Sequence, residues 1–180
     1  MVTSPLPAVA AAAPSRLDPR TVLAALDEVP DPEIPTVSIV ELGMIEAIDV
    51  EPSRIRVELL PTFVGCPALE VIRAAVAERL VEFGRPVEVR TSFATPWTTD
   101  RISAAGREKL KRSGFAPPPD LGAGRSLPML VLPLLGDAPV QCPYCGSSRT
   151  TLENVFGPTQ CRSIRYCAAC RQPFEAFKPV

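Results

Sequence analysis

Two periodicities alternate along the first hundred residues. Asp18-Pro19 offers a capping carboxylate and a first-turn proline, and Val22, Leu23, Leu26 and Val29 follow at helical spacing as far as Pro30, which predicts a first helix. Residues 31–42 read as a proline-bounded loop that leads into a strand over roughly 43–50. From Arg54 to Leu60 charged Arg54, Arg56 and Glu58 alternate with apolar Ile55, Val57 and Leu59, a period of two that turns one face to a core. Glu51-Pro52-Ser53 is a turn between these runs, so they pair as a hairpin. Between Pro61 and Gly84 the period returns to 3.6, with Leu69, Ile72, Val76 and Leu80 on one stripe and Gly84 where helices stop. Residues 86–93 form a third strand. The order helix, strand, strand, helix, strand predicts an α+β domain with its helices on one side of a small mixed sheet.

Beyond this core the pattern thins. Residues 97–112 read as a further amphipathic helix, capped by Thr99 or Asp100, whose sparse stripe of Ile102 and Leu110 puts it at the surface or against a partner. Residues 116–138 are a proline- and glycine-broken linker with an apolar middle that packs on one of the domains or on another protein. The expected division is a disordered lead-in over 1–16, an α+β domain over 17–115, the linker, and a small cysteine-rich module over 139–180. The lead-in has an alanine run interrupted by prolines and no leading basic residue, which argues against a signal peptide, and no stretch approaches the ~18 apolar residues of a membrane span.

With 180 residues, 46% of them hydrophobic, the chain holds one ordinary domain and a small one. Its net charge of -1 divides unevenly. The tail sets Arg149, Arg162, Arg165, Arg171 and Lys178 against Glu153 and Glu175, a net +3, which leaves -4 for the rest. That contrast is too weak, without a basic and aromatic stripe, to imply nucleic acid. The chain has no histidine. Serine or cysteine nucleophiles paired with imidazole, histidine-liganded zinc hydrolases and the common non-haem iron sites are therefore excluded as its own chemistry. No phosphate-binding glycine motif is present, and Gly122-Ala-Gly124 reads as linker.

Five of the six cysteines lie in the tail. Cys142-x-x-Cys145 and Cys167-x-x-Cys170 have the spacing that lets a tight turn aim two sulfurs at one ion, so two such turns complete a tetrahedron. In the reducing cytosol expected for this chain, such pairs mean metal rather than disulfides. A module with so few large apolar side chains takes most of its folding free energy from the ion, on the order of 10 kcal/mol. Four protein thiolates leave no open position, so zinc there is structural; a single iron in the same set would make a rubredoxin-like electron carrier. The fifth cysteine, Cys161, follows a hairpin turn at Gly157-Pro158. A strand over residues 160–166 would put it on the face of Cys167, as a packing thiol beside the site or as an auxiliary ligand.

Cys66 precedes Pro67 at the expected first turn of the second helix, where free amides and the helix dipole favour thiolate. It reads either as a small buried hydrophobe beside Gly65 or as a soft metal ligand or persulfide carrier. Asp31 and Glu33, in a proline-stiffened turn, read either as solvated helix-end residues or as ligands. They can approach Cys66 because both segments pack over one sheet.

The run from Asp31 to Ile45 together with Pro61-Thr-Phe-Val-Gly-Cys-Pro-Ala68 resembles the iron–sulfur assembly family that includes SufT-like proteins. With the tail from Cys142 to Lys178, and with Trp97 and Phe115-Ala-Pro-Pro118, the chain from about residue 17 onward is similar to the D-subunit (PaaD/PaaJ) family of bacterial phenylacetyl-CoA epoxidases. That resemblance implies a cytoplasmic accessory subunit without catalysis of its own. Its implied partners are a di-iron oxygenase subunit and a flavin and iron–sulfur reductase, and its implied task is delivery of iron or a cluster to them, with Asp31, Glu33, Thr62 and Cys66 at the matching positions. The competing readings are a purely structural subunit of the oxygenase and the electron carrier already described.

Overall fold

The computed structural model of the chain describes residues 17–118 and 140–178. The expected lead-in and residues 119–138 of the expected linker lie outside the described residues. Helix α1 (Pro19–Leu26) begins as its sequence predicts, with the Asp18 side chain accepting a hydrogen bond from the Arg20 amide at 2.9 Å. It ends at Leu26 rather than at Pro30, because Glu28 and Val29 donate to the carbonyls of Ala25 and Leu26, three residues back, and tighten the chain out of the α-helix.

Strands β1 (Ile45–Val50) and β2 (Ile55–Leu59) pair antiparallel, and β3 (Val87–Thr91) lies parallel to β2, giving a mixed sheet of order β1-β2-β3. The period-two reading of β2 is right in detail, since Ile55, Val57 and Leu59 are fully buried. Helix α2 (Leu69–Leu80) lays Ile72, Val76 and Leu80 into the same core as Val22 and Leu26 of α1. A single 3₁₀ turn follows, and Gly84 at φ 64° ends the helical run. The observed class is therefore the predicted α+β order. Helix α2 nevertheless starts at Leu69, so Cys66 sits in the turn before the helix and not in its first turn.

The expected helix over 97–112 is split. Residues Thr99–Arg101 make one 3₁₀ turn, Ile102 is extended and buried, and Ser103 caps α3 (Ala104–Arg112) by accepting from the Gly106 amide at 3.0 Å. The cap is thus Ser103 and neither Thr99 nor Asp100. Burial of Ile102 and a bond from the Ser103 amide to the Glu41 carbonyl carry the chain off a helical path before α3 can begin. Glu41 itself closes a capping box with Ser38: the Ser38 amide donates to Glu41 Oε2 and the Glu41 amide to Ser38 Oγ, both at 3.0 Å. Lys109 of α3 sits 2.7 Å from the other carboxylate oxygen, and Gly106 is packed so closely that a Cβ there would lie 2.9 Å from the Glu41 carbonyl oxygen. Helix α3 is thereby clamped on the turn that leads into β1, although its stripe is thin.

A second sheet, of order β4-β7-β6-β5, is built from β4 (Phe115–Ala116), β5 (Thr150–Asn154), β6 (Arg162–Cys167) and β7 (Gln172–Phe177). The two-residue strand β4 follows directly on α3 yet pairs parallel with β7 of the tail, so it straddles the expected boundary at residue 115. Phe177 at the end of β7 is buried in the core of the first domain, 6.4 Å between ring centroids from Trp97, whose indole N–H donates to the Leu42 carbonyl. Arg162, at the start of β6, is buried at the same seam. Its guanidinium lies 2.8 Å from Glu175, 3.7 Å from Glu33 and over the Phe115 ring, and it donates to Thr159 Oγ1 at 2.8 Å. Among the described residues no helix is long and apolar enough to cross a membrane.

Two outcomes follow from this packing. Gly106→Val must push α3 off the Glu41 carbonyl and should lower stability by about 1–3 kcal/mol, read as a drop in thermal midpoint against the native chain. Arg162→Ala should destabilise by about 2–4 kcal/mol and expose the seam to limited proteolysis, because two carboxylates and Thr159 lose their common partner while the four-cysteine turns are untouched.

Candidate functional site

The two Cys-x-x-Cys turns are built alike. In the first, the Gly146 amide donates to the Cys142 carbonyl at 2.9 Å with Gly146 at φ 70°; in the second, the Arg171 amide donates to the Cys167 carbonyl at 2.8 Å with Arg171 at φ 60°. A left-handed residue immediately after the second cysteine folds each turn back so that both sulfurs face inward. Glycine adopts that conformation freely, whereas Arg171 does so at a cost of roughly 1–2 kcal/mol and is the one non-glycine residue at positive φ among those described.

The four Sγ atoms lie within 4.8 Å of one another, with Cys142 and Cys170 at 3.7 Å and Cys145 and Cys167 at 3.6 Å. Four sulfurs placed tetrahedrally about 2.3 Å from one ion are about 3.8 Å apart, so the arrangement already fits a metal. Cys142 and Cys167 are buried, Cys170 is half-buried and Cys145 is exposed. Backbone amides of Cys170 and Ala169 aimed at its sulfur hold the Cys167 thiol down at about 6, against the effect of burial. Burial, together with the three neighbouring sulfurs, pushes Cys170 up to about 12. A set in which one thiol ionises readily and another resists is what close-packed sulfurs must show until a cation lets all of them ionise. The cluster is a metal-binding group.

The remaining site residues gather elsewhere, at the seam between the two sheets. Asp31 is nearly buried, and its Oδ1 accepts from the amides of Glu33 at 2.9 Å and Ile34 at 2.8 Å, so its carboxylate shapes the loop on which Glu33 is carried. Burial raises the carboxyls of both Asp31 and Glu33; for Glu33 the Arg162 guanidinium and the Thr159 hydroxyl oppose that rise. Cys66 follows a tight turn closed by its own amide on the Phe63 carbonyl, and the Ala68 amide points at its sulfur. The expectation that the helix end favours thiolate is corrected here. Burial pushes the Cys66 thiol up, Glu33, Cys161 and Asp31 add to the rise, and the single amide of Ala68 does not offset them.

Thr62 lines a narrow cleft of about 20 Å³ with Trp97, Gln160, Cys161 and Phe177. Cys161 lies outside the four-sulfur group and packs against the core of the first domain, as Cys66 does. It precedes β6 rather than lying within it, so strand alternation with Cys167 does not describe its surroundings. Thr159 and Arg162, which tie Glu33 to the tail, were visible in the sequence only as one polar residue and one positive charge among many. No local signal distinguishes them, since their roles arise from docking.

Comparison with known proteins agrees with this two-part construction. Residues 19–90 match the family model of an iron–sulfur cluster assembly protein, and residues 131–178 match that of a PaaD zinc beta ribbon domain. A domain of unknown function from Bacillus anthracis is 26% identical, covering 51% of this chain and 90% of that chain with a TM-score of 0.48. A conserved hypothetical protein from Thermotoga maritima is 30% identical, covering 53% of this chain and 95% of that chain with a TM-score of 0.46. The D subunit of the Escherichia coli (strain K12) "Putative 1,2-phenylacetyl-CoA epoxidase" is 37% identical over 158 residues, which are 87% of this chain and 90% of that protein. An assembly-type domain, a four-cysteine ribbon and a relative aligned over nearly the whole chain lead to one conclusion: the chain belongs to the family of 1,2-phenylacetyl-CoA epoxidase D subunits.

Proposed function

We propose that this chain is a non-catalytic accessory subunit of a phenylacetyl-CoA epoxidase and helps to mature it by delivering iron or an iron–sulfur cluster. The clients are the di-iron oxygenase subunit or the flavin and iron–sulfur reductase. The observation that carries this reading is Cys66, a half-buried thiol that burial holds up in pKa, with the negative charge of Glu33 and Asp31 adding to the rise, in the part of the chain that matches the assembly family. The absence of histidine agrees with it, since the chain lacks the residue that the common oxygen-activating iron sites require.

Each residue then has a task. Asp31 positions the loop that carries Glu33, Glu33 adds negative charge that helps keep the Cys66 thiol protonated, and Thr62 lines the adjoining cleft. Because its pKa is raised, the empty Cys66 rests as a neutral thiol that is slow to oxidise. As a metal cation arrives, the proton leaves to solvent and a sulfur–metal bond replaces the S–H bond, with no change of oxidation state. Exposed Phe63 and Val64 in the turn before Cys66 give a client an apolar surface to meet.

Zinc is the resident ion assigned to Cys142, Cys145, Cys167 and Cys170, where it supplies a cross-link that holds the two turns together. With four protein thiolates around it, the centre is structural and leaves cargo handling to the seam.

The purified protein should accordingly be colourless with one zinc per chain; a red, iron-bearing ribbon would favour the electron carrier instead. Cys145→Ser should release the zinc and unfold the ribbon, removing metal-binding free energy on the order of 10 kcal/mol, as followed by zinc content and circular dichroism. For the delivery reading, iron is measured in the oxygenase subunit and in the reductase, each purified from cells carrying either the native chain or Cys66→Ala. A severalfold loss from one of them, with the variant still folded and zinc-loaded, names the client. Equal iron in both leaves a purely structural subunit.

A further inference from the structure

Cys161 is the one cysteine without a task so far. It is separated by five residues from Cys167, yet its sulfur is not part of the four-sulfur group. The Lys178 amide donates to the Cys161 carbonyl at 2.9 Å and fixes the backbone where the ribbon meets the first domain. The segments that carry Cys161 and Cys66 adjoin across the seam: Gln160 Oε1 lies 4.0 Å from where a Cβ on Gly65 would stand. Thr159 Oγ1 lies 3.2 Å from Cys161 Sγ and accepts from Arg162 Nε at 2.8 Å, and the same guanidinium lies 3.7 Å from Glu33. Cys161 lines one narrow cleft with Thr62 and Phe63, the residues that lead into the turn of Cys66, and burial raises both thiols, with Glu33 adding to the rise.

We infer that Cys161 belongs with Cys66, and that the ribbon completes the cargo site by supplying its second sulfur: two thiols, one from each domain, flanked by Glu33, bind ferrous iron at the seam. This rests on the delivery reading above and adds a donor to it. Two thiols suit a borderline cation such as Fe²⁺, which accepts both sulfur and oxygen donors. On binding, two S–Fe bonds form, two thiol protons leave to solvent, and the iron remains ferrous. Among the described residues only the ribbon tetrad gathers three or more ligand atoms, so the seam leaves further coordination positions to solvent or to the client's own ligands. A closed four-thiolate centre retains its ion, whereas a half-filled one can pass it on. Arg162, in contact with Glu33, Glu175 and Thr159, keeps the two segments in register.

The test uses the full-length zinc-loaded protein under anaerobic, reducing conditions with ferrous ion alone as the probe. Bound ferrous iron should slow iodoacetamide labelling of both Cys66 and Cys161, mapped by peptide mass spectrometry. Cys161→Ser should weaken iron binding at least tenfold, as Cys66→Ser does, with zinc content unchanged. If Cys66→Ser loses iron while Cys161→Ser binds as the native chain does, Cys161 is only a packing thiol and the inference fails, with the delivery reading intact. If neither substitution changes iron binding and neither thiol is protected, the inference and delivery through Cys66 fail together. Should Cys161→Ser not fold, the protection map of the unaltered chain decides alone, and Cys161 labelling at the same rate with and without iron overturns the proposal.

Discussion

A guanidinium buried at the junction of two small sheets needs compensating partners. Arg162 meets that need from four directions at once: Glu175 on its own sheet, Glu33 on the loop after α1, the Thr159 hydroxyl, and the ring of Phe115 beneath it. Desolvation of a buried ion costs several kcal/mol, and partial pairing does not recover it. The Arg162 network therefore favours one relative placement of the ribbon and the first domain. That placement depends as well on Phe177, which leaves the ribbon sheet to pack beside Trp97, and on β4, which takes the end of the first domain into the ribbon sheet.

Rigid docking changes what the small module is. A ribbon of this size has only a small apolar cluster of its own, built on Phe174, Ala176 and the buried Cys142 and Cys167, and depends on its metal turns, but here it also shares the core of its neighbour. The second consequence concerns the cysteines, which divide by environment and not by sequence neighbourhood. Four of them face one another around an ion-sized space, where amides lower one thiol and crowding raises another. The other two stand against the first domain's core, where burial and nearby carboxylates keep them protonated. The first environment suits permanent retention of an ion. The second suits a ligand that stays neutral until a cation arrives.

Much of the secondary structure was legible because its causes are local. The Asp18 cap, the alternation through β2, the stripe of α2 and the left-handed Gly84 each depend on residues within one or two turns of the chain. Departures arise where distant groups compete for the backbone. Helix α3 starts late because Ile102 is drawn into the core and the Ser103 amide bonds to the Glu41 carbonyl, sixty-two residues earlier in the chain. Helix α2 starts late as well, and Cys66 is left half-buried in the turn before it, where desolvation of the thiol outweighs the pull of the helix end.

The sequence by itself determined the α+β order and the pairing of Cys142, Cys145, Cys167 and Cys170, because helical and strand periods and two-residue cysteine spacing are short-range constraints that any fold of this chain must satisfy. Only the tertiary structure decided that Cys161 stands outside the four-sulfur group, that Asp31 is spent on its own loop, and that Arg162 joins Glu33 to Thr159. Those relations link positions 31–33, 66 and 159–162, which come together through burial and charge compensation at the seam, and neither of these has a period that can be read along a chain.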